Sequence, residues 1–151
     1  MRSRNISPIL LAFCLLLAPL CIAEAGEIPP QGSKSLSEIL KSVEQQKLGG
    51  IAEAEFDDCL WEVKACDVGA CQKLYIDPMS AEEKRRRKTD SDEMPPANAV
   101  PLSRIIQSVE ARGLGILTEV EYDNALWELD LRKDGQKIKL TIDPRGGETR
   151  S

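Results

Sequence analysis

Two stretches of the chain run through the same order of apolar and polar positions. Leu36, Ile39, Leu40 and Val43 fall at helical spacing, and Leu102, Ile105, Ile106 and Val109 repeat it. Ser37 and Ser103 are the expected N-caps, and Gly49 and Gly113 the expected stops. The period then drops to two. Ala52, Ala54 and Phe56 alternate with Glu53, Glu55 and Asp57, and Thr118, Val120 and Tyr122 with Glu119, Glu121 and Asp123. Such alternation predicts a strand with one dry and one wet face. A second strand turns Trp127, Leu129 and Leu131 inward and Glu128 and Asp130 outward. A third turns Ile138, Leu140 and Ile142 inward and Lys137, Lys139 and Thr141 outward, after a hairpin at Asp134-Gly135. The prediction is an α+β protein of two tandem α-β-β-β modules, each a helix packed on a three-stranded antiparallel sheet. Trp61 and Trp127 share the inward parity and are the expected core anchors.

A shift of 66 positions superposes the two stretches without a gap, and 20 of the 43 residues from Leu36 to Pro78 are then identical. Shared composition gives only a few matches, so the pattern reads as a tandem duplication. The expected modules are residues 35–79 and 100–148, with a leader at 24–34 and a tail at 149–151. Between the modules, residues 80–99 are charged, contain Pro95-Pro96 and read as a linker.

The chain opens with Arg2 and Arg4, then an apolar run to Ala23 and small residues around Ala25. This predicts a cleavable signal peptide over residues 1–23 and a secreted or periplasmic destination. Lipidation at Cys21 is disfavoured, because Leu20 stands where a small residue is needed. Without Arg2 and Arg4, 18 basic residues face 25 acidic ones. That balance argues against nucleic acid as a partner. The chain has no His, which removes the commonest metal ligand and the commonest general base near neutral pH.

Three cysteines follow the signal segment. Cys66 and Cys71 fall on the outward face, bracketing a short turn, where a disulfide can close. The favoured reading is a structural disulfide; reduced thiols, a redox pair and a metal site stay open. Cys59 shares the parity of Trp61 and is expected to be a small buried hydrophobe.

The succession of an apolar helix, GLGILTEVEYD, LWELDL and DGQKIKLTIDPRGGE resembles the PepSY domain. Residues 100–148 carry the closer likeness. The first stretch departs from it at Gly50, in its Cys pair, and in lacking a Gly-Glu after Asp77-Pro78. The resemblance implies an exported, non-catalytic module that binds another protein, as in propeptides of secreted proteases. Two copies in a row also resemble, in layout alone, the β-lactamase inhibitor protein.

The leading expectation is therefore an exported protein-binding module, a regulator or inhibitor of an envelope protease or other enzyme, with no cofactor and no catalytic residue. Two alternatives are weighed against it. Glu53, Glu55, Asp57 and Asp58 are weak candidates for holding Ca²⁺ on oxygen ligands. Glu119 and Glu121 are the carboxylates a small hydrolase would use, although their spacing places them on a wet strand face. The run KRRRK, with Lys84 and Lys88 at its ends, reads as solvated linker; contact with anionic lipid headgroups and a protease cut site are its secondary readings.

Overall fold

A computed structural model describes residues 28–90, 93–146 and 149–150. The predicted signal segment, with Cys14 and Cys21, lies outside these residues. The elements in chain order are α1 (Leu36–Gln45), β1 (Gly50–Asp57), β2 (Leu60–Asp67), β3 (Ala70–Ile76), β4 (Glu83–Thr89), α2 (Leu102–Glu110), β5 (Ile116–Asp123), β6 (Leu126–Lys133), β7 (Gln136–Ile142) and β8 (Thr149–Arg150). All eight strands form one antiparallel sheet in the order β4-β3-β2-β1-β5-β6-β7-β8.

The three-stranded units of the two halves join into one sheet, because β1 pairs with β5 through Glu53–Glu121, Ala54–Val120 and Glu55–Glu119. One expectation is corrected here. Residues 83–89 of the expected linker form a strand, β4, paired with β3 from Cys71–Thr89 to Ile76–Glu83. The segment after it is tied down as well. The Glu93 carboxylate accepts from the Asn124 and Ala125 N–H groups, both at 3.1 Å, and so holds the β5–β6 turn.

The helices share one face of the sheet and enclose a single apolar core with it. Leu36, Ile39, Leu40 and Val43 of α1, and Leu102, Ile105, Ile106 and Val109 of α2, meet Trp61, Val63, Leu74, Ile76, Trp127, Leu129, Leu131 and Ile142 of the strands. Trp61 and Trp127 are each 1% exposed. Each indole meets an aromatic ring edge-on, Phe56 at 5.4 Å and Tyr122 at 5.2 Å.

Strict alternation fails at one point in each first strand. The register slips between Ile51 and Glu53 and between Leu117 and Glu119. Ala52 and Thr118 are the extra residues, and Ile51 and Leu117 take the core positions instead.

The cap assignments also change. Ser35 is the N-cap of α1, in a capping box with Glu38, while Pro101 precedes α2 with no side-chain cap. Ser37 and Ser103 serve the opposite helix. Glu44, near the end of α1, accepts from the Ser103 N–H at 3.0 Å and hydroxyl at 2.6 Å. Glu110, at the end of α2, accepts from the Ser37 N–H at 3.4 Å and hydroxyl at 2.5 Å. The helices therefore run antiparallel, each placing a carboxylate at the other's N-terminus, where the helix dipole favours negative charge.

The recurring Ile-Asp-Pro ends are structural joints. Asp77 accepts from the Met79 and Ser80 N–H groups, both at 2.9 Å, and these backbone bonds, Ser80 first, hold its carboxyl below the usual carboxylate range. The Pro78 carbonyl accepts from the Lys34 N–H and the Pro144 carbonyl from the Val100 N–H, both at 2.8 Å, tying each third strand to the approach of a helix.

Candidate protein-binding face

Neither helix lies on the other side of the sheet. Strand pairing places there Arg85 and Arg87 of β4, Lys73 and Tyr75 of β3, Glu62 and Lys64 of β2, Glu53 and Glu55 of β1, Glu119 and Glu121 of β5, Glu128 and Asp130 of β6, and Lys137 and Lys139 of β7. The face is banded: a central stripe rich in carboxylates, flanked by basic strands on both sides.

The stripe is centred on the β1–β5 seam. Glu53 stands opposite Glu121 and Glu55 opposite Glu119, an arrangement of like charges that opposes pairing. Burial and then the charges of Glu53 and Asp57 push the Glu55 carboxyl up. Glu119 rises further, to about 7, through burial, a hydrogen bond to Asp130 and the Asp130 charge. Asp130 is 7% exposed and moves the other way: burial opposes its charge, but hydrogen bonds from Lys137 and Glu119 outweigh it. Below neutral pH, Glu119 is therefore the member of the pair that holds a proton, while Asp130 keeps its charge.

The flanks neutralise part of this charge. Lys73 reaches Glu62 at 2.8 Å and Glu53 at 4.0 Å. Lys137 pairs with Asp130, and Lys139 approaches it at 3.6 Å. On the outer strand, the Arg85 guanidinium lies 3.8 Å from the centre of the Tyr75 ring and Arg87 5.3 Å from it.

Cys66 and Cys71 are directly paired on this face, 4.1 Å apart between Cα atoms, and are joined by a disulfide. The bridge closes the β2–β3 hairpin beside an apolar cleft of about 720 Å³, lined among others by Val68, Met94, Pro95, Pro96 and Trp127. Cys59 does not point into the core as its parity predicts. It is half-buried in the β1–β2 turn with φ of 62°, because Asp58 and Cys59 form the turn and end the alternation.

The remaining candidates separate. Glu53 and Glu55 lie on the banded face, Asp57 is exposed at the strand end, and Asp58 is exposed in the turn with φ of 47°. Among the described residues, no three acidic or thiol groups come together in a way that could hold a metal ion. Glu119 and Glu121 share the face, but neither lines the 720 Å³ cleft or the smaller cleft between the helices. Sequence reading missed the reciprocal Ser–Glu clamps and the basic outer strand. The signal for the clamps was present in the identities Ser37/Ser103 and Glu44/Glu110.

An antiparallel sheet carrying two helices on one face and a charge-banded face on the other defines an α+β architecture. Residues 89–150 match the PepSY family described as the peptidase propeptide and YPEB domain. A solved structure from Clostridium difficile 630, described as a candidate lipoprotein, is similar over 76% of this chain and 88% of its own, with 14% identity and a TM-score of 0.46. No curated protein matches the chain. No helix among the described residues is long and apolar enough to cross a membrane.

Proposed function

We propose that this protein is an exported, non-catalytic binding module that regulates or inhibits a protease or another exported enzyme, and that its first half is a second copy of the PepSY-type unit. The observation that carries the reading is the banded sheet face, which displays charge across strands β4 to β7 with neither helix covering it. The propeptide description matched by residues 89–150 supports a protease-associated role. The Cys66–Cys71 disulfide and the N-terminal sequence pattern support export.

The test is crosslinked capture from the exported fraction, followed by inhibition assays on the captured enzyme. Glu121→Lys and Glu128→Lys reverse two exposed carboxylates of the central stripe. The expected outcome is at least tenfold weaker capture and inhibition with the fold intact, in the range found when interfacial charge pairs are broken. Capture and inhibition unchanged by both reversals would remove the face from the function.

A further inference from the structure

Strand β4 is the outer strand of the sheet, with β3 on its inner side and no described strand on the other. Alternate residues therefore turn N–H and C=O groups towards solvent. Its sequence EKRRRKT is exposed from Glu83 to Lys88. A run of cations on an edge is the ordinary guard against stray strand pairing, but two observations go beyond a guard. Arg85 and Arg87 are held against Tyr75, which is only 2% exposed, and they make no ion pair among the described residues. Each of the other basic strands on this face has an acidic strand beside it. Lys73 of β3 meets Glu62 of β2, and Lys137 and Lys139 of β7 meet Asp130 of β6. The outer side of β4 lacks such a neighbour.

We propose that β4 is a docking edge for an extended acidic segment of a partner protein. The segment adds as a further antiparallel or parallel strand, and its acidic side chains at alternate positions meet Arg85 and Arg87. Main-chain hydrogen bonds supply affinity, and the guanidinium forks select carboxylates at that spacing. A second copy of the chain is a poor occupant through the same edge, since β4 against β4 sets five consecutive cations against five. Lipid headgroups would satisfy the cations but leave the edge N–H and C=O groups without strand partners. The inference rests on the protein-binding reading for the kind of occupant, yet its test needs no natural partner, so the two can fail separately.

The probe is a fluorescent eleven-residue peptide alternating Glu and Val. Its controls are a Lys–Val peptide of equal length and the Glu–Val peptide N-methylated at every residue. Anisotropy titrations should show the Glu–Val peptide binding at least tenfold more tightly than either control, with affinity falling as salt rises. Arg85→Glu with Arg87→Glu should cost at least tenfold, with the circular dichroism spectrum preserved. Lys88→Glu, at an exposed site without an ion-pair partner among the described residues, should cost severalfold and guards against misfolding of the double variant. Equal binding of the N-methylated peptide would reduce β4 to a charged patch and overturn strand addition. Binding to phosphatidylglycerol vesicles that depends on Arg85 and Arg87, without peptide binding, would overturn the protein partner.

Discussion

Gly49 has φ of +102°, and a Cβ there would lie 1.9 Å from the Cys66 carbonyl oxygen. Neither the backbone of β2 nor the left-handed conformation can yield to a side chain. Gly49→Ala should lower unfolding stability by about 3 kcal/mol or more in urea titrations, as expected for combined strain and overlap. Gly69→Ala, with nothing within 4 Å but φ of +75°, should cost only about 1 kcal/mol. Glu119 makes a different prediction. Its folded pKa of about 7 exceeds the ordinary 4.5, so the native state holds a proton that the unfolded chain releases between those values. Stability should therefore fall as pH rises from about 5 to 8, and the raised Glu55 carboxyl acts in the same sense. The lowered Asp130 carboxyl acts in the opposite sense, but only at acid pH below its ordinary 3.8. Thermal melts should show Tm declining across pH 5–8, and Glu119→Gln should flatten the slope. An unchanged slope would show that this proton is not linked to folding.

At the scale of elements, the two helices depend unequally on each other. α1 has its own capping box, whereas Pro101 offers α2 no side-chain cap. Glu44 therefore carries the N-terminus of α2 largely alone, while Glu110 supplements a helix already capped. Glu44→Gln should destabilise more than Glu110→Gln. A double-mutant cycle of Glu44→Gln with Ser103→Ala should give a coupling of about 1.5–3 kcal/mol, the range for hydrogen bonds to a charged group. The disulfide acts on one hairpin only. Replacing Cys66 and Cys71 by Ser should cost about 2 kcal/mol by chain entropy for so short a loop.

Across the whole molecule, one core spans both halves, and α1 and α2 are clamped to each other above the seam. The β1–β5 junction itself is narrow and carries two opposed Glu pairs, so packing beneath the sheet outweighs repulsion on its open face. The halves should unfold together. Trp61→Phe and Trp127→Phe variants, each leaving one indole reporter, should each show a single transition spanning the whole chain and quenching by iodide only after unfolding. Two separate transitions within one variant would mark the halves as independent units.

The local elements were legible because each rests on short-range periodicity. The helices, the first three strands of each half, the buried indoles and the Cys66–Cys71 face all follow from spacing and parity along a few residues. Parity failed at Ala52 and Thr118, where a bulge inserts a residue, and at Cys59, where a turn begins. The basic strand was hidden because KRRRK has no apolar alternation; its pairing depends on the edge that β3 offers, which is a property of the assembled sheet. The seam and the reciprocal helix clamps join residues far apart in the chain. Sequence by itself determined most of the dry residues and the local elements that apolar periodicity builds. Tertiary structure decided which elements meet, since pairing and burial energies depend on neighbours that only the folded chain supplies.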